Sequence, residues 1–496
     1  MRSATLADLS EFGGSGMLDH VLRRMSFGAS AADLDTFARL PLVGVVGYLL
    51  NFDRAPDDVD TKINNAAYIG VTTRGAFAPN TVINDARQRW LFRMVHSQRP
   101  MQEKLALFWH NHFATAYTKV AGTFGQEHAT KMMDGKAAEV AGQRRGQIQL
   151  FRDLGLGRFD DLLIEVAKDP AMLVWLDGRL NVRARPQENF GRELMELFTT
   201  GVGHYTEADV YAAARVFTGW NLRLSGDRTS ALTSYYEYVY TVAQHDPAAK
   251  TFTFAVLPDG GRTIPARAAA DGEQDGIDLI RALARRPETA DRLARRFFAF
   301  FVSEFTAPSD ELVAGMRETY LNNDTNIKAM LVRLFTSTEF LDGSAEFARY
   351  SWPVEYVVKA IKETGWSGLS VDAAMNPLVN MGQQLYEPPD VNGWALGPEW
   401  FSTASMLSRM NFAATLMANQ RFNLQQAAAS ARTSPEALLE FHRKRFTAAP
   451  FSADTSSALL DYLRQGGAWT GSDTQLANKA AGLGRLIVGS SEYQFN

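Results

Sequence analysis

The sequence contains no cysteine among its 496 residues. This absence excludes disulfide bonds, zinc–thiolate sites and cysteine nucleophiles. It leaves the compartment open, because a chain without cysteine is stable in either redox environment. The sequence also lacks an apolar run of the ~18 residues that a membrane-spanning helix needs. We therefore expect a soluble protein without a transmembrane segment.

Targeting signals and common cofactor motifs are missing as well. The N-terminal segment MRSATLADLSEFGGSGM has no basic stretch followed by an apolar core, so it does not read as a signal peptide. We expect a cytoplasmic protein as the sequence stands, with the periplasm as the alternative if an export signal was removed. No glycine-rich phosphate loop, G-x-S-x-G elbow, H-E-x-x-H helix or EF-hand pattern occurs. The formal net charge of −4 gives no general attraction to nucleic acid, and we expect no such partner.

The composition and the hydrophobic pattern predict a mainly α protein. With 46% hydrophobic and 21% charged residues, the chain is an ordinary globular one. Helical periodicity recurs along its whole length, whereas the β pattern is concentrated in Ser234–Asp246, with Thr251–Leu257 as the expected partner strand. We predict a large two-lobed, multi-helix fold with one small β-hairpin. Residues 1–17 form a flexible tail, residues 18–265 a helical lobe with most motifs, and residues 266–496 a second helical lobe.

The segment PQENFGRELMELFTTGVGHYTEADVYAAARVFTGW carries the densest group of polar residues. Its first helix is predicted to start at Pro186 and to place Glu193 and Glu196 beside an apolar stripe. These carboxylates are candidate metal ligands, and the alternative is that they face water on an ordinary amphipathic helix. His204 lies on the following short turn, where it suits metal ligation or acid–base chemistry, and we take it as a candidate catalytic residue.

Two further segments contain histidines. His110 and His112 in LALFWHNHFAT are candidate metal ligands, but the segment reads as a helix, on which residues two apart diverge by about 200°. We therefore expect them to serve different purposes, with His112 the more buried; the alternative is hydrogen-bonded core histidines. His245 and Asp246 follow the predicted strand and are candidate catalytic residues, because a strand end can present such groups rigidly. The Asp-Pro turn is the structural alternative.

Other candidate contacts come from loops. Arg179, Arg183 and Arg185 lead into the central helix and form a candidate anion site, unless they are solvated loop charges. The segment LYEPPDVNGW, with Trp394 near its end, suits the wall of a ligand pocket or the closing of the core between the lobes.

Several of these segments, in this order, resemble the bacterial family called domain of unknown function 1800. The resemblance covers roughly His20 to Phe412 and includes HVLRRMSFGAS, LALFWHNHFAT, KDPAMLVWLDG, ENFGRELMELFTTGVGHYTEADV, HDPAAKTF, WPVEYVVKAI and LYEPPDVNGW. Asp153 departs from it, because the family usually has a histidine there. The resemblance also implies a possible partner from the domain of unknown function 1501 family, whose members look like alkaline-phosphatase-fold proteins.

Two hypotheses of function follow. In the first, the protein is a metal-assisted hydrolase or oxidoreductase whose histidines and glutamates converge in the N-terminal lobe around an unidentified divalent metal. In the second, it is a non-catalytic helical binding protein that acts with a partner protein. The residues alone leave both hypotheses open.

Overall fold

The computed structural model describes residues 15–137, 139, 142, 145–254 and 261–496. Most of the predicted tail, including Phe12, Gly13 and Gly14, lies outside the described residues, and helix α1 starts at Ser15. Helices dominate the described part of the chain, which confirms the mainly α class.

The described residues form 24 α-helices. The first twelve are α1 Ser15–Met25, α2 Ala31–Phe37, α3 Leu42–Leu50, α4 Ile83–His96, α5 Pro100–His112, α6 Tyr117–Phe124, α7 Gln126–Asp134, α8 Gln147–Leu154, α9 Phe159–Ala167, α10 Pro170–Trp175, α11 Asn189–Glu193 and α12 Glu207–Val216. The others are α13 Glu273–Ala284, α14 Pro287–Phe301, α15 Asp310–Asn322, α16 Ile327–Phe335, α17 Thr338–Leu341, α18 Pro353–Thr364, α19 Asp372–Asn380, α20 Thr403–Asn419, α21 Arg421–Ala427, α22 Pro435–Arg445, α23 Ala453–Arg464 and α24 Asp473–Val488. Among these described helices, none is both long enough and apolar enough to cross a membrane.

The strands form two small antiparallel pairs. Strand β1 (Trp220–Gly226) pairs with β2 (Ser234–Tyr240), and β3 (Lys250–Phe252) pairs with β4 (Arg262–Ile264). The predicted hairpin is thus present, but the pairing of Ser234–Asp246 with the segment after it is wrong. Strand β2 pairs instead with β1, which precedes it in the chain and is joined to it by the short connection 227–233. The polar residues Asn221, Arg223 and Ser225 of β1 do not favour a strand, so the sequence did not predict it. Residues 255–257 of the predicted partner segment Thr251–Leu257 lie outside the described residues.

Helix α5 lies at the centre of the fold, with all of its residues from Pro100 to His112 buried. Phe108 stacks on Phe297 of α14 with ring centroids 4.5 Å apart, and Trp109 donates its indole N–H to the carbonyl of Gly155. A helix that is covered on every side must satisfy its polar side chains inside the protein.

A buried ion network is centred on Glu103 of α5. Its carboxylate oxygens lie 2.6 Å from Nε of Arg93 on α4 and 3.0 Å from Nε of Arg152 on α8, and none of the three side chains is exposed. Charged hydrogen bonds therefore join three helices in a region that water does not reach.

The predicted lobe boundary near residue 265 stays a prediction. Helix α13, which follows it, packs against α9 and α12, which precede it.

We expect Glu103→Gln to lower the free energy of unfolding by about 1.5–3 kcal/mol, because two buried guanidinium groups lose a charged hydrogen-bond partner while Arg93 keeps Asp57 and Asp60. Glu436→Gln is the control, since Glu436 pairs with Arg464 and both side chains are more than half exposed; a change within about 0.5 kcal/mol is expected there. Denaturant unfolding measures both variants. Equal losses in the two would show that the Glu103 network contributes no more than a surface pair.

Candidate functional site

A cavity of about 710 Å³ lies between α5, α14 and two loops. We call it the arginine cavity, after the three arginines of α14 in its wall. Its lining residues are Phe108, Asn111, Thr200, His204, Glu288, Asp291, Arg292, Arg295, Arg296, Ala299, Phe300, Asn392, Trp394, Ala395 and Leu396. Four segments that are distant in sequence thus meet around one space.

Helix α14 supplies the charged side of the arginine cavity. Its sequence PETADRLARRFFAFF places charged residues three or four positions apart on one stripe, while Leu293, Phe297 and Phe301 on the opposite stripe are buried in the core. Sequence reasoning did not identify these arginines as site residues. The sequence feature that could have identified them is the regular spacing of charges on a strongly amphipathic helix. An ordinary solvated helix face has the same spacing.

The two acidic residues of the wall are already paired. Glu288 accepts from Nε of Arg286 at 3.1 Å, and Asp291 accepts two hydrogen bonds from Nη1 of Arg317 at 2.9 and 3.0 Å. Both partner arginines lie outside the lining, and in the described part of the chain neither carboxylate forms an ion pair with an arginine of the cavity.

The three arginines of the wall differ in their partners. Arg295 lies 3.6 Å from Asp310, and the attraction of Glu196 offsets part of the burial that lowers the pKa of Arg292. Arg296 is half-buried, and among the described residues it has no hydrogen bond or ion pair. Burial, and then the like charge of Arg292, lower the pKa of Arg296 to about 10. Arg296 is still a cation at neutral pH, and no carboxylate of the described residues forms an ion pair with it.

The loop that carries His204 follows an irregular helix. The helix predicted from Pro186 begins instead at Asn189 and continues as a π-helix over Leu194–Phe198, a geometry that often marks functional sites. Gly201 then turns the chain with φ +94°, and an added Cβ would lie 3.1 Å from Nη1 of Arg292. His204 lines the cavity, and its Nδ1 is buried without a hydrogen-bond partner among the described residues.

The opposite wall is a loop held by the end of α5. The Asn111 side chain accepts from the backbone N–H of Trp394 at 2.6 Å and donates to its carbonyl at 3.4 Å. Gly393 permits this contact: its φ is +83°, and an added Cβ would lie 2.3 Å from Oδ1 of Asn111. The loop therefore presents Trp394 to the cavity in a fixed position.

The carboxylates predicted as metal ligands, Glu193 and Glu196, lie on the irregular helix that precedes the His204 loop. Glu196 accepts a hydrogen bond from the hydroxyl of Tyr205, and burial followed by the charge of Glu196 raises the pKa of Glu193. Arg192 bonds to Glu207 rather than to either of them. Neither Glu193 nor Glu196 is part of the cavity lining.

The two histidines of α5 point into different surroundings, as their helical spacing predicted. His110 lies among Trp90, Tyr386 and Trp394, with ring centroids 5.3 to 6.0 Å away. His112 stacks on Phe108, and its Nε2 lies 3.3 Å from the carbonyl of Phe198. The expectation that His112 is the more buried is wrong, because α5 is covered on all sides and both imidazoles are inaccessible.

His245 and Asp246 belong to a separate polar cluster that joins the β region to α13. Nδ1 of His245 lies 2.8 Å from the carbonyl of Thr218, and its Nε2 lies 3.3 Å from Asp275. Asp246 accepts from Nε of Arg215 at 2.7 Å. These contacts are sufficient to explain both residues as structural.

The predicted anion site in the loop before α11 is spread out. The guanidinium of Arg179 lies 5.4 Å from the ring centroid of Phe124, whereas Arg183 and Arg185 are exposed.

Of the predicted catalytic, metal-binding and anion-binding residues, His204 is the one that lines the arginine cavity. Within the described part of the chain, no group of three or more histidine, aspartate or glutamate side chains is arranged to hold a metal ion. The metal, catalytic and anion assignments made from the sequence stay predictions.

The model of a family described as "Protein of unknown function (DUF1800)" matches residues 20–495. No curated protein and no solved structure matches the chain.

We expect Gly393→Ala to destabilise the protein and to move Trp394, because the new methyl group meets both the side chain and the backbone of Asn111. Gly397→Ala is the matched control: its φ is +89°, but nothing lies within 4 Å of an added Cβ. It should show only the backbone strain of about 1–2 kcal/mol. Thermal unfolding and tryptophan fluorescence distinguish the two. Identical behaviour would contradict the close contact.

Acid should destabilise the folded protein in part through His110. Burial lowers its pKa from 6.5 to about 3, so between these values the unfolded chain binds more protons and stability falls as the pH falls. The slope for one such group reaches about 1.4 kcal/mol per pH unit. We expect His110→Phe, which suits the aromatic surroundings, to lose less stability than the parent between pH 7 and pH 5 in urea unfolding. An equal loss in both proteins would refute the assignment.

Proposed function

We propose that this chain, which belongs to the DUF1800 family of proteins of unknown function, binds a small organic anion in the arginine cavity. The observation that carries the proposal is Arg296, a half-buried cation of the cavity wall without a carboxylate partner among the described residues.

The energetics of Arg296 favour an anionic ligand. A guanidinium that is partly removed from water loses hydration, and the protein recovers this cost only where a counter-ion or hydrogen-bond acceptor replaces the water. Burial and the neighbouring Arg292 already lower the pKa of Arg296, so the environment disfavours the charged form. A ligand anion would relieve both effects, and arginine suits this task because its planar fork matches a carboxylate or phosphate.

The remaining wall suits an organic body attached to that anion. Phe108, Phe300 and Trp394 contribute aromatic surface, and Leu396 adds an exposed apolar side chain. A volume of about 710 Å³ falls in the range of small-molecule sites. Asn111 is committed to the Trp394 loop, so it fixes the wall rather than the ligand.

The hydrolase or oxidoreductase hypothesis stays a second candidate, and His204 is the observation that favours a chemical role. Its imidazole lines the same cavity as Arg296, so a bound anion would lie near the type of side chain that most often acts in acid–base catalysis. The predicted divalent metal and the predicted partner from the domain of unknown function 1501 family have no support among these contacts.

The test uses three related probes and one charge deletion. We expect calorimetry to detect binding of at least one of the anions 3-phenylpropionate and phenylsuccinate, and weaker or no binding of the neutral 3-phenylpropanamide. Arg296→Gln should weaken anion binding by about tenfold or more, as expected for the loss of a charged hydrogen bond.

Arg281→Gln is the control for this experiment, because Arg281 is exposed on α13 and outside the cavity lining. It removes the same charge and should leave the affinity unchanged. If neither anion binds the parent protein, or if both variants reduce binding equally, the arginine cavity is not an anion site.

A further inference from the structure

We infer that the ligand of the arginine cavity is an elongated amphiphilic anion, with its acid group between Arg292 and Arg296 and its apolar body along α14 toward Leu396. This inference rests on the proposed function. It adds Arg292 as a second binding residue, and it specifies the class of ligand and the direction in which the ligand lies. It follows from the contacts of the two arginines and from the order of the side chains along the wall.

Arg292 and Arg296 are neighbours on one face of α14. Residues four positions apart on a helix have Cβ atoms about 5–6 Å from each other. Both arginines are half-buried in the wall of the cavity. Like charges at this spacing destabilise a helix, and partial burial reduces the screening that weakens such repulsion. An anion between the two guanidinium groups offsets the repulsion and accepts charged hydrogen bonds from both.

Arg292 is positioned without being neutralised. Its Nε donates to the carbonyl of Leu197, in the π-helix, at 3.3 Å. Across the described residues Arg292 forms no ion pair. Glu196 attracts it, but the carboxylate of Glu196 accepts a hydrogen bond from the hydroxyl of Tyr205 instead. The carbonyl therefore orients the guanidinium, and an anion in the cavity is free to pair with it.

The wall is polar toward the N-terminal end of α14. Glu288 and Asp291 lie there, and each forms an ion pair with an arginine outside the lining. An apolar group over these ion pairs removes them from water and returns no hydrogen bonds, which costs free energy. The apolar body of the ligand therefore extends away from this end.

The wall is apolar toward the C-terminal end of α14. Ala299 and Phe300 line the cavity there, together with Leu396 from the loop after α19. This loop meets the end of α14, because the backbone N–H of Gly397 donates to Glu304, just beyond the helix, at 3.0 Å. Leu396 is 42% exposed, so it has apolar surface that a ligand can cover.

The length of this wall indicates the length of the ligand. Arg292 and Phe300 are eight positions apart on α14, which is about 12 Å along the helix axis. A chain of several carbon atoms is needed to cover this length, and a chain as short as that of butyrate covers only part of it. Each methylene group that the wall removes from water raises the affinity by up to about fourfold.

The test is calorimetry with acids of different chain length. We expect octanoate to bind the parent protein at least about tenfold more tightly than butyrate. Octyl sulfate carries an apolar chain of similar length on a different acid group, so its comparison with octanoate distinguishes carboxylates from sulfate esters; tighter binding of either than of butyrate supports the inference. If butyrate binds as tightly as both longer probes, the ligand has no apolar body along the wall, and the inference fails while the proposed anion site stands.

Two substitutions test the two ends of the ligand. Arg292→Gln should weaken the binding of octanoate and butyrate by the same factor, about tenfold or more, because both probes have the same acid group. Leu396→Ser should weaken octanoate by about threefold or more and leave butyrate unchanged. If Arg292→Gln has no effect while Arg296→Gln abolishes binding, the inference fails and the proposed function stands. If neither variant affects binding, the proposed function fails as well.

Matched variants control for general effects of charge and surface. Arg295→Gln removes a charge from the same wall, but Arg295 is half exposed and has Asp310 at 3.6 Å, so we expect a change below about threefold. Leu407→Ser, at an exposed position of α20 outside the lining, should leave all affinities unchanged. Arg292→Lys keeps the charge and should recover part of the affinity, and thermal unfolding without ligand checks that each variant is folded. Equal losses in Arg292→Gln and Arg295→Gln would overturn the role of Arg292.

Discussion

The complete burial of α5 is the constraint on which the rest of the structure depends. Every residue from Pro100 to His112 is buried, so a polar side chain of this helix is costly unless another segment supplies a partner. Glu103 forms ion pairs with two arginines, and Lys104 forms one with Glu355 of α18. Asn111 accepts a hydrogen bond from the backbone of the loop that follows α19. The helix thereby joins parts of the chain that are hundreds of residues apart.

The same constraint builds the arginine cavity. The Asn111 contact holds one wall, and Phe108 packs on α14, whose charged stripe forms the other. Glu288 and Asp291 of this stripe pair with arginines outside the lining, and Arg296 has no ion pair within the part of the chain that the structure describes. The proposed anion site rests on this missing partner.

Sequence reasoning succeeded where the signal was local and failed where it depended on neighbours. The divergence of His110 and His112 followed from helix geometry alone, but their equal burial did not, because amphipathicity cannot show that a helix is covered on all sides. The strand at Ser234–Tyr240 was found from its tyrosines and valines, whereas its partner Trp220–Gly226 was missed because pairing is a tertiary choice. His204 was found as an isolated polar residue on a glycine turn.

The sequence by itself determined the helical class, the absence of thiol chemistry, the turn before α12 and the family, since each depends on residue types and short spacings. Only the tertiary structure decided which charges lack a partner. Asp291 meets Arg317 across 26 positions, and Asn111 meets Trp394 across 283. The arginines of α14 have the spacing of an ordinary solvated face. They become a candidate site because, among the described residues, folding gives Arg296 no hydrogen bond or ion pair, and partial burial makes the missing partner costly.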